Sequence, residues 1–168
     1  MKRALTFILI SIFILILQQS FLSGLKINFL ALDATLAFIA CSSLLLDEVE
    51  SFIVALVTGL IVDSFSPYVF GVNSIIYISI SYLFALVQKK IYKERTLILI
   101  LLNVLAVILK YLIIFGSYYI ASIKIDFIKI IKDVVPFELI SNTIFAILLF
   151  SFLKKIVNIA FLQKEWKF

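Results

Sequence analysis

Long apolar runs alternate with short polar or charged stretches along the whole chain. A helix needs roughly 20 consecutive apolar residues to cross a bilayer, and most of these runs approach that length. The pattern therefore predicts an all-α integral membrane bundle of about six transmembrane helices, in a single transmembrane domain that covers residues 1–168. The six runs are Ala4–Leu17, Phe29–Leu46, Ser51–Phe65, Phe70–Val87, Thr96–Ala121 and Phe137–Leu153.

The third run, Ser51–Phe65, is short for a membrane span. About 15 residues at about 1.5 Å each give roughly 22 Å, against a hydrocarbon core of about 30 Å. We expect it either to cross a locally thinned region or to be partly re-entrant. Because it forms a hairpin with the fourth run, both interpretations leave the chain termini on the same side.

A different pattern follows the fifth run, between Ile123 and Val135. Most of its charged residues, among them Lys129 and Lys132, fall on one broad helical face, and Phe127 and Ile130 fall on the other. This periodicity predicts a short amphipathic helix in the membrane plane.

Composition agrees with a membrane protein: 64% of the residues are hydrophobic, and the mean hydropathy is +1.23. The formal charge of +5 comes from cations clustered at segment ends, which is typical of cytoplasmic loops rather than of a nucleic-acid surface. The cations form an inner and an outer group if the N-terminus is cytoplasmic. The inner group is Lys2, Arg3, Lys89, Lys90, Lys93, Arg95, Lys154, Lys155, Lys164 and Lys167, and the outer group is Lys26, Lys124, Lys129 and Lys132. The positive-inside rule thus predicts that both termini are cytoplasmic.

The chain contains no His and a single cysteine, Cys41, within an apolar run. Zinc sites of the usual kinds, Cys/His catalysis and internal disulfides are therefore not expected. We predict no metal, no cofactor and no catalytic residue, and we interpret Cys41 as a small packing residue.

Four ionisable residues fall inside or at the ends of apolar runs: Asp33, Asp63, Lys110 and Glu138. Charges at membrane depth are costly and usually pair, and the predicted topology places all four at a similar depth in the outer half. We therefore expect Lys110 to pair with one of the three acids. A buried pair that holds the bundle, a proton or ion path, and an outward-facing binding surface remain as alternatives for their role.

The most distinctive stretch runs from Gly59 to Ser74, where the third and fourth runs meet. Gly-Leu-x-x-Asp is followed by Ser-x-Ser-Pro-x-x-x-Gly-x-Asn, which predicts a tight polar turn at membrane depth. Singly, the glycines and the proline need only permit helix contact and a turn. Together they form a candidate partner-binding or structural motif: Gly59, Asp63, Pro67, Gly71 and Asn73.

This combination resembles the family of rod shape-determining protein MreD. The matching positions are Gln19-Ser20, Asp33, Gly59–Asp63, Pro67–Gly71, Lys89-Lys90, Pro136 and Asn142, and the similarity covers nearly the whole chain. The resemblance implies a non-enzymatic protein of the bacterial inner membrane that belongs to the cell-elongation machinery. It also implies binding to the single-pass protein MreC and, through it, to MreB and to peptidoglycan synthases.

Members of this family are similar in fold to the substrate-binding subunits of energy-coupling-factor transporters. A vitamin-capture subunit is therefore the alternative function, although the first helix has only Ala4 and lacks the Ala-x-x-x-Ala pattern that docks an energising module. In the scaffold interpretation, the small residues Gly59, Ala55 and Ala85 are candidate contact points for a partner helix. An intramembrane enzyme is disfavoured by the lack of His and of recognisable paired catalytic acids.

Overall fold

A computed structural model describes residues 2–24, 32–65, 69–88, 95–123 and 126–157. Within these ranges every regular element is an α-helix. The helices are α1 (Lys2–Gly24), α2 (Ala34–Ser43), α3 (Glu48–Ser64), α4 (Val72–Gln88), α5 (Arg95–Ile120), α6 (Phe127–Asp133) and α7 (Val135–Val157).

Three of the described helices are long and apolar enough to cross a membrane: Lys2–Ser20, Leu97–Ile120 and Val135–Val157. Helices α2 and α4 are apolar but shorter. The predicted all-helical membrane architecture is therefore confirmed. The count of about six spans stays a prediction, because ten residues of α2 rise only about 15 Å.

Helix α2 is the centre of the bundle, and all ten of its residues are buried. It packs against α1, α3, α4, α5 and α7. Its small and apolar side chains allow this close approach, and the ring of Phe38 packs against that of Phe7 of α1 in a tilted arrangement, with centroids 5.9 Å apart. Cys41 is fully buried, and its thiol donates to the carbonyl of Ala146 over 3.4 Å, which confirms its role as a packing residue.

Hydrogen bonds between buried hydroxyl groups connect neighbouring helices. The Ser51 hydroxyl donates to Ser43 over 2.8 Å and lies 2.7 Å from the Ser81 hydroxyl, so that one serine joins α2, α3 and α4. Thr58 of α3 donates to Ser11 of α1 over 2.9 Å. Lipid supplies no hydrophobic drive between helices, so such polar contacts and close packing hold the bundle.

Two helix starts differ from the prediction because acidic side chains favour helix N-termini. The second run was expected over Phe29–Leu46 with Asp33 as an interruption; instead Asp33 is the N-cap of α2, and its side chain accepts from the backbone N–H of Leu36. The third run was expected from Ser51, but α3 begins at Glu48, so that Glu48 and Glu50 lie in its first turn.

The helix that was predicted over Ile123–Val135 is also shorter than expected. Asp126 caps α6 by accepting from the backbone N–H of Lys129, so the helix begins only at Phe127. Helix α7 in turn begins at Val135 and extends beyond the predicted Leu153 to Val157. Lys154 and Lys155 fit its last turn because cations are favourable at a helix C-terminus.

Three helices carry an exposed apolar stripe along one side. The α1 stripe is Leu5, Leu9, Phe13 and Ile16; the α5 stripe is Leu97, Leu101, Leu105, Ile108 and Leu112; the α7 stripe is Ile140, Ile144, Leu148 and Phe152. The helical spacing of each stripe, together with its exposure, is typical of a surface that faces lipid.

Candidate functional site

The first polar site is an ion triad that joins three helices of the bundle. Lys110 of α5 donates to Asp33 Oδ2 over 2.8 Å and to Glu138 Oε1 over 2.6 Å. The ammonium therefore bridges the N-terminus of α2 and the first turn of α7. Lys110 lies roughly 22 Å along α5 from Arg95, which is within the thickness of a bilayer core. The expected pairing of Lys110 is present, with two of the three candidate acids.

Glu138 is the most buried member of the triad, with only 3% of its side chain exposed. Its second oxygen, Oε2, accepts from the Tyr111 hydroxyl over 2.5 Å. Asn142, one turn later on α7, is 3.5 Å from Glu138 Oε1 through its amide nitrogen. Its amide oxygen accepts from the backbone N–H of Asp33 over 2.8 Å. Asn142 thus ties α7 to the start of α2.

The network extends from Asp33 across α2 to two further helices. The Thr35 hydroxyl donates to Asp33 Oδ1 over 2.8 Å and lies 2.8 Å from the Tyr77 hydroxyl of α4. The backbone N–H of Thr35 donates to Gln18 Oε1 of α1 over 3.2 Å. Side chains of α7 and α1 thus accept from the backbone N–H groups of Asp33 and Thr35, and Asp33 itself accepts from that of Leu36. These bonds let this helix end lie inside the bundle.

Two carboxylates and one ammonium meet in the triad, so it carries one net negative charge when all three groups are ionised. Each of the four carboxylate oxygens accepts at least one hydrogen bond. A hydrogen-bonded network of this kind fixes the geometry of its side chains. Among the described residues, no group of three or more His, Cys, Asp or Glu side chains is placed to hold a metal ion.

The second polar site is a clamp between α3 and α4, built on Asp63. Its Oδ1 accepts from the backbone N–H and the amide nitrogen of Asn73, over 2.9 and 3.0 Å. Its Oδ2 accepts from the backbone N–H and the hydroxyl of Ser74, over 3.0 and 2.6 Å. Asp63 thereby caps the N-terminus of α4, where the helix macrodipole favours a negative charge.

Gly59 lies one helical turn before Asp63 and meets the same residue of α4. A Cβ atom built on Gly59 would be 2.5 Å from Ser74 Cα, which is closer than packed atoms approach. The glycine is therefore needed for the close crossing of α3 and α4. Gly71, just before α4, has φ +95°, a backbone conformation that favours glycine, and it turns the chain into the helix.

The structure divides the predicted site residues into these two groups. Asp33, Lys110 and Glu138 form the triad, and Gly59, Asp63 and Asn73 form the clamp beside Gly71. The expectation that Asp63 shares the ionisable cluster with Lys110 is wrong, because the first turn of α4 supplies its hydrogen-bond donors instead. Pro67 lies outside the described residues.

The proposed contact points for a partner helix are also corrected. Gly59 is buried, Ala55 is fully buried and Ala85 is 2% exposed. Their small size serves packing within the chain, so none of the three presents a surface to another protein.

Sequence reasoning did not identify Thr35, Tyr111 and Ser74 as members of these sites. Tyr77 was not identified either, although its buried hydroxyl lies within hydrogen-bonding distance of Thr35. The i, i+4 spacing of Glu138 and Asn142 places both on one face of α7, and this spacing was a usable signal for their proximity. The contacts of Thr35 and Ser74 depend on helix crossings that the sequence pattern does not specify.

The family model described as rod shape-determining protein MreD matches residues 1–160 of the chain. No curated protein and no solved structure matches it.

Proposed function

The chain belongs to the MreD family of rod shape-determining proteins, and on that premise we propose that it is a non-enzymatic scaffold of the bacterial cell-elongation machinery. The match over residues 1–160 is the observation that carries this proposal, because it takes in every described helix. Family membership implies a role in rod shape determination and a location in a membrane. We further propose that the protein spans the inner membrane several times, with both termini in the cytoplasm.

We propose that the direct partner is a single-pass protein of the MreC kind, and that MreB and peptidoglycan synthases are reached through it. The stripes on α1, α5 and α7 favour this proposal, because they offer long apolar surfaces that the described part of the chain leaves uncovered. A partner helix in lipid would bind such a stripe by packing and a few polar contacts. Gly59, Ala55 and Ala85 are excluded from this role by their burial.

In this proposal the triad and the clamp act indirectly. They hold six helices of the chain in one arrangement, so that the stripes keep fixed positions relative to each other. A scaffold needs such rigidity because a mobile surface pays an ordering cost when its partner binds.

The proposal is tested by gentle affinity purification of the tagged chain from its native membrane, with mass spectrometry of proteins and small molecules. We expect recovery of a single-pass cell-wall protein in near-stoichiometric amount and no coupling ATPase. Recovery of a vitamin-like ligand together with a coupling ATPase would instead favour the alternative, a substrate-capture subunit of an energy-coupling-factor-type transporter.

The partner surface can then be mapped with one tryptophan on each stripe. Leu9→Trp, Leu105→Trp and Ile144→Trp each enlarge a side chain that is at least 40% exposed, so all three variants should fold. We expect one of them to lower recovery of the partner at least tenfold while the other two serve as matched controls. If all three variants recover the partner normally, binding through a lipid-facing stripe is wrong.

A further inference from the structure

Helix α6 and the adjoining end of α5 form an exposed surface that the scaffold function does not use. We call it the α6 patch, and it consists of Tyr119, Ile120, Ile128, Lys129, Ile131 and Lys132. No residue of α6 is buried, although α6 is held to α5 by the rings of Phe127 and Phe115, whose centroids are 4.6 Å apart. The patch therefore has a fixed place at one end of the bundle.

The apolar half of the α6 patch continues the lipid-facing surface of α5. From Leu112 the exposed side of α5 runs through Gly116 to Tyr119 and Ile120, with helical spacings of three and four residues. Tyr119 and Ile120 are 82% and 85% exposed. On α6 the exposed fractions are 67% for Ile128 and 51% for Ile131. Because this surface is continuous with the α5 stripe, we expect lipid acyl chains to cover it.

The polar half of the patch carries two cations. Lys129 and Lys132 are exposed and lie one turn apart on α6. Neither forms an ion pair within the part of the chain that the structure describes. Asp126 caps α6 by accepting from the backbone N–H of Lys129. Asp133 is the last residue of α6, and no capping bond is described for its side chain.

We infer that α6 lies in the headgroup layer and that Lys129 and Lys132 bind the phosphate of an acidic phospholipid such as phosphatidylglycerol. The isoleucines hold the helix at the depth of the upper acyl chains, and the flexible lysine side chains extend from there to the phosphate. Attraction near an acidic membrane surface contributes about a factor of five in binding for each lysine at low salt. The pair therefore selects acidic over zwitterionic lipid.

The test uses the full chain in vesicles of phosphatidylcholine with one fifth phosphatidylglycerol. Ala121→Cys places a fluorophore beside the patch, and the fully buried Cys41 stays unlabelled. Quenching is measured with nitroxide-labelled phosphatidylglycerol and, separately, with nitroxide-labelled phosphatidylcholine. The ratio of the two signals reports which lipid is enriched at α6.

We expect acidic lipid to be enriched about 5- to 25-fold at low salt, and Lys129→Gln/Lys132→Gln to lower this preference to nearly one. Lys154→Gln/Lys155→Gln removes the same charge from the far end of α7 and should leave the ratio unchanged. Asp133→Asn removes a nearby negative charge and should raise the preference. Protection of Cys41 from alkylation verifies that each variant is folded.

An equal lipid ratio for the parent chain and Lys129→Gln/Lys132→Gln would overturn the inference. If that variant also lost recovery of a protein partner, the two lysines would be assigned to the binding of an acidic protein surface instead.

Discussion

Replacement of Lys110 by methionine is expected to cost about 3 to 5 kcal/mol and to remove most of the folded protein. Methionine has nearly the same length, so packing changes little, but Asp33 and Glu138 lose their shared cation. Two partly desolvated carboxylates then face each other inside the bundle. The folded fraction can be measured by size-exclusion chromatography in mild detergent and by the rate of Cys41 alkylation, because that thiol is fully buried in the native state.

The structure also predicts which second substitutions restore folding. Glu138→Gln and Asp33→Asn should each rescue Lys110→Met in part, because each removes one of the stranded charges. Asparagine at position 33 can still cap α2, and glutamine at position 138 can still accept from Tyr111. The triple variant Asp33→Asn/Lys110→Met/Glu138→Gln should have the largest folded fraction of these variants, since replacing all members of a buried ion network is often nearly neutral.

Two controls separate the triad from polar residues in general. Asp63→Asn should not rescue Lys110→Met, because Asp63 contacts Asn73 and Ser74 instead. Asn103→Leu removes another buried polar side chain from α5, one whose amide nitrogen makes a 3.3 Å bond to Thr143 and whose oxygen has no partner among the described residues. We expect it to cost little. Rescue by Asp63→Asn, or normal folding of Lys110→Met, would contradict the triad.

The sequence was sufficient to predict that Lys110 pairs with an acid, because an unpaired charge in lipid is costly. It identified Asp33, Lys110 and Glu138 as groups of similar depth, and a requirement for pairing followed directly. The same reasoning placed Asp63 at this depth, but its carboxylate accepts from Asn73 and Ser74 rather than from Lys110. Depth along a helix can be counted from the sequence, but the direction in which a side chain points depends on how neighbouring helices cross.

The length of α2 could not be predicted from hydropathy either. The apolar run Phe29–Leu46 has the composition of a span, yet within the described residues only Ala34–Ser43 is helical in it. Hydropathy cannot distinguish a helix that crosses lipid from one that other helices surround. In the sequence, only Asp33 and Thr35 indicate that α2 is surrounded by other helices, because their polar groups require partners at the start of the helix.

The second large effect is expected at Gly59, where a single methyl group should disrupt the crossing of α3 and α4. Alanine at this position would place its Cβ 2.5 Å from Ser74 Cα. Overpacking of a close contact typically costs about 1 to 3 kcal/mol, and leucine should cost more. Loss of the proposed partner in such variants would then follow from misfolding, and faster alkylation of Cys41 would accompany it.

The chain offers a matched control for this prediction. Gly116 lies within α5, and a Cβ built on it meets nothing within 4 Å. Gly116→Ala should therefore fold as well as the parent chain or slightly better, because alanine is the stronger helix former by about 1 kcal/mol. Opposite outcomes for two glycine-to-alanine changes would tie the effect to helix contact rather than to backbone flexibility.

A Cβ atom on Gly59 would meet the backbone of Ser74 more closely than its side chain. Since the nearest atom to the added methyl group is the backbone Cα of Ser74, trimming the side chain in Gly59→Ala/Ser74→Gly cannot make room for it. That double variant should have a lower folded fraction than Gly59→Ala alone, because it also removes the hydroxyl that donates to Asp63 over 2.6 Å.

Asp63→Ala should lower the folded fraction by a similar amount by itself, since it leaves the first N–H groups of α4 without their cap. Recovery of folding by Ser74→Gly would show that α3 and α4 do not cross as closely as described.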